Sequence, residues 1–258
     1  MSNFNDELHA MTLSEDGSYT AYSKEYDEHY HSTKDGALNE SLYKHIIPAF
    51  EHVRERKEVN ILDICYGLGF NTLATILYYK EHAPEKRVRI YSPELDASLV
   101  KSLTNFSYPK TFELLREIID TISETGVYED EQFYIEVFLG DAREYVKRFS
   151  DTFDIVYQDA FSPSTNPVLW TKEYFAAIAQ AMKKEGILTT YSTALKTRLA
   201  LYKNGFFVHL NKGENFRNAT LASLTQLQAY ELVDMEHKIA CNPDVKPLSD
   251  DDLGVDYR

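Results

Sequence analysis

Short apolar runs alternate with amphipathic stretches through most of this 258-residue chain. That alternation predicts an α/β domain with a mostly parallel central sheet and helices on both faces. Glycines and acids recur just after the predicted strands, which is where open α/β sheets bind ligands. Two late strands, at 206–210 and 219–224, follow one another with no helix between them and predict an antiparallel edge.

Residues 1–36 are polar and tyrosine-rich, with turn signals at Asp16-Gly17 and Asp35-Gly36. Residues 37–56 read as a helix, because Leu38, Leu42, Ile46 and Phe50 recur at a four-residue step. Residues 58–65 form an apolar run ending in glycines, as a buried parallel strand does. A helix over 71–81 and a second strand over 88–94 follow. Helical stretches are expected at roughly 96–105 and 109–124. The alternation continues with a strand at 133–139, a short helix at 142–149 and a strand at 153–158. Residues 171–184 predict a helix capped by Thr171 and followed by Gly186. A strand at 187–191 and a helix at 194–203 precede the two late strands.

Hydrophobic residues make up 43% of the chain, as suits a globular protein. No apolar stretch reaches the ~18 residues of a membrane span. The segment from Met1 to Ala10 carries acids and has no apolar core of a secretory signal. Cys65 and Cys241 give neither a disulfide framework nor metal-ligand spacing, and the cytoplasm is the expected compartment. The net charge of −14 argues against broad nucleic-acid binding. The charge is uneven, however. Residues 111–144 hold ten acids and two bases, whereas 194–217 hold five bases and one acid, so a locally basic face remains open beside the plainer reading of a solvated surface.

Four elements sit just after predicted strands. Asp63-Ile64-Cys65-Tyr66-Gly67-Leu68-Gly69-Phe70-Asn71 lets a strand-to-helix turn pass close to a ligand. Glu94 can accept hydrogen bonds from two ribose hydroxyls. Asp141, in Gly140-Asp141-Ala142, can accept an adenine amino group or simply cap the next helix. Asp159-Ala160-Phe161-Ser162-Pro163 follows the fourth strand. In order and spacing the four resemble the Rossmann-like class I S-adenosylmethionine-dependent methyltransferases, with an antiparallel edge strand on a mostly parallel sheet. Asn71 and Thr72 stand where a nicotinamide enzyme has its third glycine, and no Walker A pattern occurs. No metal is called for, because methyl transfer from a sulfonium needs none.

The stretch from Asp159 to Thr171 (DAFSPSTNPVLWT) resembles the D-G-F-A-P-x-x-N-P-x-[ML]-W element of the tRNA 5-aminomethyl-2-thiouridine methyltransferases. The glycine loop is similar to that family's E-x-G-F-G-T-G-x-N, with Asp63 for Glu and Cys65 at its first glycine. Ala160 stands where Gly is usual. Gly36-Ala37-Leu38-Asn39-Glu40-Ser41 resembles its G-L-A-E-[ST] stretch, and Tyr191-Ser192-Thr193-Ala194 with Asn204-Gly205-Phe206 resembles its later run. The resemblance spans about residues 14–225. Bifunctional relatives continue into an FAD-dependent oxidase; this chain has no flavin fingerprint and is similar to the stand-alone form.

The resemblance implies N-methylation of a 5-aminomethyl group on (2-thio)uridine at the tRNA wobble position. It implies S-adenosyl-L-methionine at Asp63, Tyr66, Gly67, Gly69, Asn71, Glu94, Asp141, Ala142 and Glu40. It implies Asp159 as the catalytic group that holds the amine or accepts its proton. Phe161, Pro163, Trp170, Lys196 and Arg198 are the expected substrate residues, with the anticodon stem-loop of tRNA as partner and a separate protein supplying the aminomethyl precursor. Lys203, Lys212 and Arg217 are further candidate tRNA-facing bases. Tyr22, Tyr30 and His31 lie in a segment that can fold over the cofactor, although His31 reads more simply as a surface histidine. By domain, 1–57 is expected as an extension packing on or lidding the site, 58–240 as the methyltransferase domain and 241–258 as an acidic tail that is loose or draped on the domain. Two other readings stay open: methyl or aminopropyl transfer to a small cationic amine, as in the polyamine synthases, and a non-catalytic RNA-binding scaffold, for which Cys65 in the glycine loop is the hint.

Overall fold

In a computed structural model, residue 4, residues 8–213 and residues 216–254 are described. The acidic stretch before Leu8 (Phe4 apart), Glu214 in the basic segment and the last four residues of the tail lie outside them. The chain opens with β1 (His9–Leu13), β2 (Tyr19–Ser23) and β3 (Glu28–His29), a small antiparallel sheet of order β1-β2-β3. Its first turn is the expected one at Asp16-Gly17, where Asp16 accepts from the amide and hydroxyl of Ser18 at 2.9 and 2.6 Å. Then come α1 (Ala37–Glu40), a π-helical turn (Ser41–Ile46) and α2 (Ile47–His52), together the first predicted helix. Pro48 explains the wide turn: it has no N–H to offer the carbonyl of Lys44, and its ring would crowd that carbonyl.

The main domain runs β4 (Glu58–Ile64), α3 (Phe70–His82), β5 (Arg87–Glu94), α4 (Ala97–Ser102), α5 (Arg116–Thr125), β6 (Val127–Glu129), β7 (Phe133–Leu139), α6 (Ala142–Val146) and β8 (Phe153–Gln158). It continues with α7 (Lys172–Ala181), β9 (Met182–Thr190), α8 (Leu195–Lys203), β10 (Phe207–Asn211), β11 (Ala219–Ser223), β12 (Glu231–Leu232), α9 (Met235–Cys241) and α10 (Asp250–Leu253). Among the described residues nine strands form one sheet in the order β12-β10-β11-β9-β8-β4-β5-β7-β6. Five central strands are parallel, as expected. Every residue of β8 is buried, including the polar Asp154 and Gln158. The antiparallel edge holds three strands, β11, β10 and β12, and β6 adds another at the far end.

One boundary moves. The helix expected over 171–184 stops at Ala181, and Met182 pairs with Phe153 as the start of β9. The fully buried Asp154 of β8 accounts for this. Lys183 reaches both of its oxygens at 3.0 Å and Arg56 adds a contact at 2.6 Å, so the ion cluster draws 182–184 into the sheet. The tail is draped, not loose, as far as Gly254: Arg143 pairs with Asp250, and Ser249 and the Asp250 amide both donate to Glu173 at 3.0 Å. Among the described residues no helix is long and apolar enough to cross a membrane.

Candidate active site

The carboxyl ends of β4, β5, β7 and β8 face the small N-terminal sheet across a cavity of about 910 Å³. Its floor begins with the turn after β4. Gly67 and Gly69 have φ of +53° and +76°, the left-handed region that favours glycine. A Cβ on Gly67 would come within 3.1 Å of the Tyr30 ring, so that glycine keeps the cradle open; Gly69 stays outside the cavity wall, where a Cβ would come within 2.9 Å of Tyr66. Cys65 also lies at φ +68°. That is the conformational reason a glycine suits this position, and the cysteine carries strain there. Relieving about 1–2 kcal/mol of strain, less the ~0.5–1 kcal/mol extra chain entropy of glycine, Cys65→Gly is expected to raise stability by about 0.5–1 kcal/mol with turnover intact. A denaturant melt with a lower midpoint for the variant would show that packing of the thiol outweighs the strain. Burial pushes the thiol of Cys65 well up, so it sits in the wall as a neutral group.

Glu94 closes β5. Its Oε2 accepts from the Gly67 amide at 2.8 Å and its Oε1 from the Asp96 amide at 2.9 Å. Burial pushes its carboxyl upward, against those amides. Asp141 caps α6 through Oδ1, which takes the amides of Arg143 and Glu144 at 2.7 and 3.3 Å. Both of those bonds fall on Oδ1, and Asp141 lines the cavity. The wall formed by Cys65 to Gly67, Glu94 to Asp96 and Gly140 to Ala142 carries carboxylates and no Lys or Arg. Such a wall suits hydroxyl and amino donors and a cationic sulfonium, and repels a phosphate. It fits S-adenosylmethionine in charge and in hydrogen-bonding character.

Asp159 follows β8 and also faces the cavity. Asn71 donates to its Oδ2 at 2.8 Å, and Nε2 of His45 stands 3.4 Å from its Oδ1. Burial pushes this carboxyl up, but the attraction of His45, then of His31 and the Asn71 hydrogen bond, prevails and holds it below the ordinary aspartate value. Asp63 is corrected: expected at the cofactor, it is fully buried outside the cavity wall. It accepts from Thr72 at 2.8 Å and braces Asn71 at 3.4 Å, because it belongs to the strand and the chain reaches the cavity only two residues later.

Burial, with the nearby Asp159 charge, pushes Asp63 up to about 7 against a Thr72 hydrogen bond. A folded value above the unfolded one means that its contribution to stability is complete below about pH 4 and is lost as pH rises through about 7. The melting temperature is therefore expected to fall between about pH 4 and about pH 7 and to level off above it, and Asp63→Asn to flatten that fall. An equal fall in both proteins over that window would assign the titration to another group.

The N-terminal sheet forms the roof. Tyr26, Glu28, Tyr30 and His31 line the cavity, whereas Tyr22 turns away and donates to Asp27. His31 is corrected from a surface residue: it is 8% exposed and meets Phe70 edge-on, and burial lowers its pKa. Glu28 joins roof to floor, accepting from the Ser162 amide at 3.1 Å and hydroxyl at 2.8 Å. Phe161 lies in the cavity against Tyr26 and Tyr30, at ring separations of 4.8 and 4.9 Å.

Trp170 is corrected: it is fully buried, donates Nε1–H to the Phe161 carbonyl at 2.8 Å, and has no face to offer a base. Pro163 stays outside the cavity, where Asn166 and Val168 of the same motif stand instead. Lys196 is exposed and does not line it. Arg198 is corrected as well, since its Nε donates to Thr220 at 3.1 Å and this half-buried side chain is held on the sheet. The bases that do line the mouth are Arg217 and Lys34. Glu40 lines the inner wall, with Lys44 at 2.7 Å and the Ser32 amide at 2.7 Å on its carboxylate.

A family model described as S-adenosyl-L-methionine-dependent methyltransferase matches residues 110–225. The chain is similar to the crystal structure of MNMC2 from Aquifex aeolicus, with 31% identity and a TM-score of 0.81 over 96% of this chain and 81% of that one. It is 30% identical over 203 residues to an uncharacterized protein of Methanocaldococcus jannaschii, across 78% of this chain and 55% of that protein. It is 29% identical over 217 residues to the tRNA 5-methylaminomethyl-2-thiouridine biosynthesis bifunctional protein MnmC of Azoarcus sp. (strain BH72), across 79% of this chain and 33% of that protein. The chain thus spans about half the length of the first curated relative and a third of the second.

Proposed function

This chain belongs to the S-adenosyl-L-methionine-dependent methyltransferase family of Aquifex aeolicus MNMC2, and from that membership we propose that it N-methylates the 5-aminomethyl group of (2-thio)uridine at the tRNA wobble position. The observation that carries this reading is Asp159: an ionised carboxylate at the cavity floor, held by Asn71 and beside an aromatic shelf of Phe161, Tyr26 and Tyr30. A carboxylate below its ordinary value binds a cationic amine and orients one of its N–H bonds. The rings can take the extruded base by stacking, as RNA-binding proteins do with unpaired bases. S-adenosylmethionine, when bound, supplies an electrophilic methyl group.

Glu94 and Asp141 would hold the cofactor through its ribose hydroxyls and adenine amine, with Tyr66, Gly67 and Ala142 shaping the cradle. Asn71 keeps Asp159 pointed at the incoming amine, so alignment is set before the substrate arrives. Arg217, Lys34 and Lys196 are the bases best placed for tRNA phosphates. A separate protein would supply the aminomethyl precursor.

The test is transfer of labelled methyl from S-adenosylmethionine to tRNA from cells lacking the last methylation, followed by nucleoside analysis. Label in 5-methylaminomethyl-(2-thio)uridine is the expected result. No label, with cofactor binding intact by calorimetry, would overturn the tRNA reading in favour of a small cationic amine, which the carboxylate-rich cavity also suits.

A further inference from the structure

His45 belongs to none of the sequence elements that suggested the site, yet it is the nearest basic group to Asp159. It is fully buried in the π-helical turn. Its Nδ1 lies 2.7 Å from the Thr189 hydroxyl of β9, and its ring meets Tyr157 of β8 edge-on at 5.6 Å. Its Nε2 makes no hydrogen bond among the described residues and stands 3.4 Å from Asp159 Oδ1. That oxygen is therefore the group with which a proton on Nε2 would be exchanged. The charged or titratable groups around it are Asp159 and Asp63 from the floor, His31 from the roof and Tyr157 from β8.

We propose that His45 is a positioning residue that takes, through Asp159, the proton the substrate amine must lose. This rests on the proposed amine substrate. An ammonium at Asp159 gives up one N–H bond, and that electron pair remains on nitrogen as the lone pair that attacks. The proton forms an O–H bond on Asp159. That bond breaks as the Nε2 lone pair of His45 forms an N–H bond, with Nδ1–H held by Thr189. The start is ammonium, carboxylate and neutral imidazole; the end is amine, carboxylate and imidazolium. Net charge is unchanged at every stage. The relay answers a difficulty in the Asp159 reading, since a carboxylate is by itself too weak a base to keep the proton of an alkylammonium.

The test compares single-turnover methyl transfer to undermethylated tRNA by the wild type and His45→Gln across pH. The glutamine can still bond Asp159 but cannot accept a proton. The expected result is a rate constant about 10²-fold lower near neutrality, with KM for tRNA within about twofold. The deficit should narrow as pH rises and the amine arrives already neutral. An unchanged rate, or a deficit equal at every pH, would overturn the proposal. A second readout needs neither cofactor nor substrate and covers the case in which His45→Gln does not fold. In the unliganded protein, the 15N signal of His45 Nε2 should move on Asp159→Asn. A signal that stays put would overturn the pairing itself. If the wild type transfers no methyl to tRNA while that signal does move, the substrate reading has failed and the pair stands.

Discussion

Asp159→Asn should leave cofactor affinity within a few-fold of wild type and reduce methyl transfer by about 10²–10⁴-fold, the range found for removal of a positioned acid–base group. The substitution is isosteric, so Asn71 can still donate to the side-chain oxygen. What then replaces Oδ1, beside His45, is an amide NH₂, which can neither accept from an ammonium nor take its proton. Glu94 and Asp141 stand at the ends of other strands, so calorimetry with S-adenosylmethionine should be little changed. The same variant should also draw the Asp63 transition below about 7, because one cause of its elevation is the Asp159 charge. Near-normal turnover with an unmoved Asp63 transition would show that Asp159 neither holds the amine nor charges the floor.

Much of this site was legible because parallel sheets concentrate ligand groups at one edge. Once the strands were read from their apolar runs, Glu94 followed as the last residue of its strand, and Asp141 and Asp159 as the first acids beyond theirs. The same rule misled at Asp63, which is still inside β4 and points into the core. His45 was hidden for a different reason. It lies seven residues after Leu38 and three after Leu42, beside the apolar face, where a buried histidine reads as core, and no motif around it pointed to chemistry. The roof was illegible as structure because β1 to β3 are short, carry polar side chains and bury only parts of them against the cavity. The tyrosines and acids there looked like a loop, and only the contact of Glu28 with Ser162, far along the chain, gives them a function. Lys34 likewise gains meaning only once the roof sets it beside Arg217 at the cavity mouth.

Trp170 separates a packing role from a recognition role by experiment. A fully buried tryptophan cut to alanine leaves a large cavity, and Trp170→Ala is expected to cost about 3–5 kcal/mol. For a domain of this size that is a fall of roughly 10 °C in melting temperature. Trp170→Phe sharpens the comparison. Phenylalanine keeps an aromatic face, so a base-stacking residue would tolerate it with little change in KM for tRNA and none in stability. As packed here, the indole instead ties the Phe161 carbonyl through Nε1–H and meets Phe175 and Tyr191 edge-on. Phenylalanine leaves that carbonyl without its donor and the ring too small for its slot. A loss of about 1–3 kcal/mol is therefore expected, with KM unchanged well below the melting point. The order of the two variants in a thermal melt, alanine far below phenylalanine and both below wild type, is what core packing requires. A phenylalanine variant as stable as wild type, with KM for tRNA raised only in Trp170→Ala, would return Trp170 to the substrate.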